Sequence, residues 1–334
     1  MKNLDIISIG DTTHDIFLSL PEGSAEVNCR LDKNECKLLL GYGDKLPISR
    51  VENVYGVGNA ANNAIGIARL GINNAIYTHL GNDESSTKAL AILEEEKVGL
   101  DYIKRDMSKT GNMSVVLNYQ GERVIFVHHE DWSYNLPDLD SIPFVYYTSV
   151  SENHESLNDQ ISDYVVKHNS KLIFNPGTHQ LIKGKESLSK ILQNTYALIL
   201  NKLEAGRLLD VSVSADKKDD EECKKLLLGL SKLGPKIVVI TQGSLGTYAY
   251  SNNEYYFVKP NDVPVVERTG AGDAFSTGFV YGCINAFDLK VCLVTGVLNS
   301  ESVLGFVGAR KGLLTLTQMK EKVTNYKGNL PTAI

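Results

Sequence analysis

Thr269-Gly270-Ala271-Gly272-Asp273-Ala274-Phe275 stands at the head of a long apolar stretch that runs to Asn285. Two glycines in three positions let the backbone fold so that several N–H groups point one way. With a helix start behind them, those groups form an anion-binding nest. An acid inside the nest repels an anion. Asp273 therefore makes sense as a general base beside a phosphate, taking a proton from an attacking hydroxyl. A carboxylate that simply starts a helix after a glycine turn is an equal reading of this segment taken alone.

Upstream, Ile237–Thr241 reads as a buried strand running into Thr241-Gln242-Gly243-Ser244-Leu245-Gly246, and Ala197–Leu200 as one running into Asn201-Lys202-Leu203-Glu204. Ile6–Gly10, Ala75–Leu80, Phe144–Val150 and Leu172–Phe174 are further short apolar runs of the buried-strand kind. Helical patterns lie between them: Asn59–Leu70 with its stop at Gly71, Ser85–Lys97 with Ser85 as cap, then 155–168, 185–193 and 217–233. Hairpins are predicted over 113–128, turning at Gln120-Gly121, and over 247–258, turning at Asn252-Asn253. Ala274–Asn285 and Val291–Val307 are apolar nearly all round, as buried helices are.

Strands alternating with helices predict an α/β fold, three layers (α/β/α) around a mostly parallel central sheet. Residues 16–55 differ, alternating short apolar pieces with turns such as Pro21-Glu22-Gly23 and Gly41-Tyr42-Gly43. They read as an excursion that forms a small β-rich lid. Ligands of such sheets bind beyond the C-terminal ends of the strands, so the strand ends are where chemistry is expected.

At those ends, Asn201 with Glu204 three positions on has the spacing of a capping box. The pair equally suits a hydrated Mg²⁺, which keeps most of its waters and asks for few protein oxygens. Thr241-x-Gly243-x-x-Gly246 is either a phosphate-facing loop or a glycine turn into the hairpin. In Gly10-Asp11-Thr12-Thr13-His14-Asp15, Asp15 suits bidentate binding of two sugar hydroxyls, and Asp11 competes for that role on chemistry alone. In Val57-Gly58-Asn59-Ala60-Ala61-Asn62, Gly58 admits a ligand close to the backbone and Asn62 offers both donor and acceptor. A turn and an N-terminal cap are the structural alternatives.

The net charge of −6 and pI of about 5.7 argue against a general nucleic-acid or membrane-surface role. No stretch approaches the ~20 apolar residues of a membrane span. Five cysteines without a CxxC predict neither a disulfide framework nor a zinc site, and a reducing cytosol is the simplest compartment. Met1-Lys2-Asn3-Leu4-Asp5-Ile6-Ile7 carries an acid where a signal peptide needs an apolar run.

Gly56-Val57-Gly58-Asn59-Ala60-Ala61 fits a dinucleotide fingerprint, but Ile48–Tyr55 before it is a poor strand, interrupted by Arg50, Glu52 and Asn53. Gly177 to Lys185 has the wrong glycine spacing for a P-loop, and Glu186 follows where Ser or Thr is needed. His128-His129-Glu130-Asp131 is a poor metal site, because neighbours on a strand face opposite ways. It reads better as a polar cluster near an acceptor. Asp216–Glu222 reads as a solvated helix start and Trp132 as core or lid packing.

Taken in order, Asp15, Gly58-x-x-x-Asn62, Asn201-x-x-Glu204, Thr241-x-Gly243-x-x-Gly246 and Gly270-Ala271-Gly272-Asp273 resemble the ribokinase (PfkB) family of carbohydrate and nucleoside kinases, from about residue 5 to 315. The resemblance implies ATP-dependent phosphorylation of a hydroxyl on a small sugar, or alternatively on a nucleoside. It implies Asp273 as catalytic base and Gly270, Ala271 and Gly272 as anion hole. Asn201 and Glu204 would organise Mg²⁺ through water. Thr241, Gly243 and Gly246 would line the ATP site, with Asn299 beside the adenine. Asp15, Gly58 and Asn62 would hold the acceptor.

The hairpin 113–128 would join 16–55 in the lid, leaving 1–15, 56–112 and 129–334 as the main nucleotide-binding domain, and the lid would make a homodimer contact. Three positions depart from the family pattern. Glu267-Arg268-Thr269 replaces a common Asp-Thr-Thr, so K⁺ activation, which uses that Asp, is not carried over. Val57 replaces the first glycine of a pair, and Asn175-Pro176-Gly177 replaces an Asp-Pro-Asn type segment. A sugar acid would call for a basic side chain, and Lys45 and Arg123 are the lid candidates.

Overall fold

In the strand Ile6–Ile9, Ile7 and Ile9 enter one hydrophobic core and Ile6 the other, because successive strand residues face opposite ways. Val145 and Tyr147 part from Phe144 and Tyr146 in the same manner, and Val238 and Ile240 from Ile237 and Val239. Both faces are covered, which is why these runs are continuously apolar rather than alternating. The computed structural model describes residues 3–30, 35–214 and 217–334. Met1 and Lys2 of the N-terminal reading, residues 31–34 of the 16–55 excursion and Asp216 of the acidic run lie outside them.

The main sheet has nine strands. Their order is Thr332–Ala333, Glu254–Val258, Thr247–Ser251, Ile237–Thr241, Thr195–Asn201, Lys171–Phe174, Phe144–Tyr147, Ile6–Ile9 and Asn74–Tyr77. The run from Ile237–Thr241 to Asn74–Tyr77 is parallel, and the other edge is antiparallel. One face packs against helices such as Glu155–His168 and Asp220–Ser231 through Leu157, Ile161, Leu226 and Leu230. The other packs against Ala271–Ile284 and Leu289–Leu304 through Phe275, Phe279, Leu293 and Val297. The fold is thus the expected three-layer arrangement. Among the described residues no helix is long and apolar enough to cross a membrane.

A second sheet of four strands, ordered Glu122–His128, Asn112–Tyr119, Thr13–Ser19 and Arg50–Val57, adjoins the C-terminal end of Ile6–Ile9. Arg50–Val57, expected to be a poor strand, pairs antiparallel with Thr13–Ser19. It is a sheet edge, where Arg50 and Glu52 stay in solvent and bond to each other at 2.6 Å, so its charges are tolerated. The Glu122–His128 hairpin turns at Gln120 (φ 50°) and Gly121 (φ 84°), the two positive φ values that tighten a two-residue hairpin.

Other boundaries shift for local reasons. Asp83, not Ser85, caps the helix Glu84–Glu95: its carboxylate accepts from Ser86 N at 3.2 Å, while the Ser85 hydroxyl donates to Asp83. The pattern at 185–193 is two helices, Thr178–Ser187 and Ser189–Gln193, the first interrupted at Gly184 (φ 80°). The helix predicted from Ala274 begins at Ala271. Trp132 is buried, its Nε1 donating to Asn112 Oδ1 at 3.0 Å.

The cysteines also need correction. Cys29 and Cys36 form a disulfide, directly opposed on the two-stranded ribbon Glu26–Arg30 and Glu35–Leu39 with Cα atoms 4.0 Å apart. A search for CxxC spacing misses a pair that becomes adjacent only across a ribbon. Cys223, Cys283 and Cys292 are free and buried.

Candidate active site

Three cavities meet at the start of Ala271–Ile284. A cavity of 330 Å³ lies between the loop after Ile237–Thr241 and the two buried helices, lined by Thr241, Gly243, Val263, Gly272 and Phe275 among others. A second, of 220 Å³, contains Asn201, Glu204, Thr241, Gly272 and Asp273. A third, of 250 Å³, contains Asp11, Asp15, Gly58, Asn62, Thr269, Gly270 and Asp273. Gly272 lies on the first and second, and Asp273 on the second and third. Residues from the ends of several parallel strands therefore converge on one carboxylate, where such sheets bind ligands.

Gly270 caps the helix with φ 78°, and a Cβ there would lie 2.3 Å from the Ala309 Cβ. Glycine takes that turn without strain, and the turn closes with Ala271 N donating to Arg268 O at 3.3 Å. At Gly272 nothing lies within 4 Å of a would-be Cβ, so ligand atoms can approach the backbone. Glu267 secures the loop from beneath, accepting from the Thr269 hydroxyl and from Gly308 N at 2.8 Å.

Asp273 is half-buried, and one of its oxygens accepts from Asn62 Nδ2 at 2.8 Å. Burial pushes its carboxyl up to about 6; the Asn62 bond lowers it and nearby Asp15 raises it. Burial likewise raises Asp15, whose Oδ1 accepts from Thr13 Oγ1 at 3.3 Å. Gly58 has φ 103°, and a Cβ there would sit 2.6 Å from the Asp11 carbonyl oxygen. Asn62 Oδ1 is buried without a protein partner.

Asn201 and Glu204 do form the capping box: Asn201 Oδ1 accepts from Glu204 N at 2.9 Å, and Glu204 Oε2 from Asn201 N at 2.8 Å. Both residues still line the second cavity, so the structural and functional readings coexist. Burial raises the Glu204 carboxyl; Asn201 N–H and Arg207 oppose the shift and Asp273 adds to it. No group of three His, Cys, Asp or Glu side chains able to hold a metal unaided occurs among the described residues.

Two residues expected at the nucleotide have structural partners of their own. Asn299 is fully buried, with Nδ2 donating to Ala274 O at 2.7 Å and Oδ1 accepting from Leu314 N at 3.1 Å. Both ends of the amide are used to brace two backbones, and its neighbours Val297 and Ser300 line the cavity instead. Gly246 has φ 125°, and a Cβ there would lie 2.3 Å from the Phe257 ring, so close packing calls for glycine at this position. Thr241 and Gly243 do face the cavity.

His129, from the polar cluster 128–131, and Ser149, which no motif singles out, both line the third cavity with Asp11. Asp11 is buried, accepting from Tyr134 Oη at 2.7 Å and Ser151 N at 2.9 Å, and burial raises its carboxyl to about 6. Lys45 is exposed in a loop. Arg123 reaches from the hairpin to Thr269 Oγ1 at 3.3 Å.

The architecture is ribokinase-like. Arabidopsis thaliana ribokinase, solved with ribose and ATP, superposes with a TM-score of 0.78 at 18% identity, over 96% of this chain and 98% of that one. The Methanocaldococcus jannaschii nucleoside kinase gives 0.75 at 19%, over 96% and 98%. This chain belongs to the pfkB family of carbohydrate kinases, whose sequence profile matches residues 23–315. An uncharacterized sugar kinase of Archaeoglobus fulgidus is 30% identical over 257 residues, 75% of this chain and 98% of that protein.

Proposed function

We propose that this kinase transfers the γ-phosphoryl group of Mg-ATP to a hydroxyl of a small sugar, with Asp273 as general base. The observation that carries this reading is the position of Asp273 on both the 250 Å³ cavity of Asp15 and Asn62 and the 220 Å³ cavity of Asn201 and Glu204. Asp273 takes the hydroxyl proton as the new P–O bond forms and the bond to the leaving ADP oxygen breaks. Asn62 holds the other Asp273 oxygen and so orients the base. The segment Gly270-Ala271-Gly272 at the helix start would serve as the anion hole for the charge that builds on the transferred group; Gly272, which lines the cavity beside Asp273, is its best-placed member, because Ala271 N already donates to Arg268 O at 3.3 Å.

Glu204 and Asn201 suit Mg²⁺ held through water, since the capping box leaves one Glu204 oxygen free and no larger acid cluster is present among the described residues. Asn201 and Glu204 would hold the ion through its waters, and its chemistry there would be to offset the charge of the phosphates. Thr241 and Gly243 line the nucleotide cavity.

The four-stranded sheet supports a lid role. Phe17, Val54, Ser114 and Val127 reach the acceptor cavity from it, and closure there would exclude water, a competing acceptor. Its outer strand exposes Ile125 and Phe126 by 48% and 55%, a surface suited to a second copy. Sedimentation across a range of concentrations tests that homodimer, and a monomer throughout would count against it.

The apolar wall of Phe17, Val54, Val57 and Val127 favours one second reading, a nucleoside acceptor whose base packs there. ADP release from Mg-ATP across a panel of sugars and nucleosides separates the two. Turnover on a sugar supports the first reading and on a nucleoside the second. No acceptor-dependent ADP with any of them speaks against both.

A further inference from the structure

Asp11, Asp15 and Asp273 all line the acceptor cavity, and among its described lining residues there is no Lys or Arg. Neither nearby arginine is among that lining. Arg310 donates to Tyr55 O at 2.7 Å and Gly56 O at 3.1 Å, and Arg123 is held on the Thr269 hydroxyl at the rim. His129 Nδ1 stands 3.8 Å from Asp11 Oδ2 and has no hydrogen-bond partner, although the atom is buried. That distance is too long for a direct hydrogen bond, and a single oxygen lying to the cavity side of the pair, off the line between the two atoms, can reach both.

Both groups are fixed. Tyr134 and Ser151 hold the Asp11 carboxylate from behind. The His129 ring packs edge-on against His179, with centroids 5.1 Å apart. A hydroxyl beside the pair accepts from the imidazole N–H and donates to the carboxylate. A phosphate or carboxylate oxygen lacks that hydrogen and meets the Asp11 charge. Burial also holds the imidazole below its ordinary pKa, which disfavours the cationic form that an anionic acceptor would call for.

We propose that His129 and Asp11 form the hydroxyl-reading end of the acceptor cavity and restrict the acceptor to an uncharged molecule, a sugar or nucleoside without phosphate or carboxylate. This rests on the kinase reading and adds a substrate class to it.

The full-length chain with Mg-ATP tests it on matched probes: ribose against ribose 5-phosphate, fructose against fructose 6-phosphate, and glucose against gluconate, with inosine alongside. The best neutral acceptor should exceed its anionic counterpart in kcat/KM by about 100-fold or more, since an unpaired buried polar group discriminates on that scale. His129→Ala should raise the KM for that acceptor about tenfold, with kcat and the KM for ATP within about threefold, and His129→Asn, which keeps a donor, should recover part of the loss. Preference for an anionic acceptor overturns the inference, as does His129→Ala with an unchanged acceptor KM. If no probe is phosphorylated and Asp273→Asn releases ADP like the unaltered chain, the kinase reading fails and this inference with it.

Discussion

Asn62 Nδ2 donates to Asp273 Oδ2 at 2.8 Å, joining the first turn of helix Asn59–Arg69 to the first turn of Ala271–Ile284 across 211 residues of chain. The bond leaves one carboxylate oxygen for a substrate hydroxyl and opposes the burial that raises Asp273 to about 6. In Asn62→Ala that opposition is gone. The acid limb of kcat/KM against pH should move to higher pH than in the unaltered enzyme, and kcat/KM should fall about 10- to 100-fold at its plateau. An acid limb that stays in place would deny the bond a role in tuning the base.

Stability should respond in the opposite sense. An ordinary aspartate titrates at 3.8 and folded Asp273 at about 6, so the folded state holds the proton more tightly. The stabilisation from that proton is complete below 3.8 and is lost as pH rises through about 6. Asp273→Asn carries no charge to desolvate. It should therefore melt higher than the unaltered protein above pH 6, by a margin that closes as the pH falls towards 3.8. Melting curves over that range check this, and a margin independent of pH would contradict it.

The two nest glycines should separate cleanly. Gly270→Ala combines φ 78° with a clash against Ala309 and should cost about 1–3 kcal/mol of stability. Gly272 lies in the helix with open space beside it, so Gly272→Ala should hold or raise stability by up to about 1 kcal/mol. Its methyl group enters the phosphate-facing cavity, however, and the KM for ATP should rise about tenfold. Denaturant melts and ATP titrations of both variants decide the matter.

Glu204→Gln tests the Mg²⁺ assignment with the cap retained. Glutamine still accepts from Asn201 N, so the capping box survives and stability should change by less than about 0.5 kcal/mol. The lost charge should raise the Mg²⁺ concentration for half-maximal activity several-fold. Titrating Mg²⁺ at fixed ATP reads this directly, and an unchanged midpoint would remove Glu204 from the metal site.

Much of this was legible because local signals agreed with the fold. Ile237–Thr241 and the hairpin turning at Asn252-Asn253 appear with the expected limits, since a continuous apolar run and two residues of positive φ each have one structural outcome. The left-handed turn at Gly270 was legible for the same reason. The acceptor cavity was only half visible. Asp11, His129 and Ser149 come from separate elements and meet only in three dimensions. Asn299 sat at a position that pattern alone assigned to the nucleotide, and only the packing of Ala274 and Leu314 around it shows an internal brace. The Cys29–Cys36 pair depends likewise on the register of a ribbon.

Phosphoryl transfer at this site depends on Asp273 as the proposed base. The most direct measurement is kcat for Asp273→Asn with saturating Mg-ATP and the best acceptor at neutral pH, beside the ADP affinity of the same variant. The expected result is a loss of ~10²–10⁴ in kcat with ADP binding retained. A variant that keeps the unaltered kcat would contradict the mechanism.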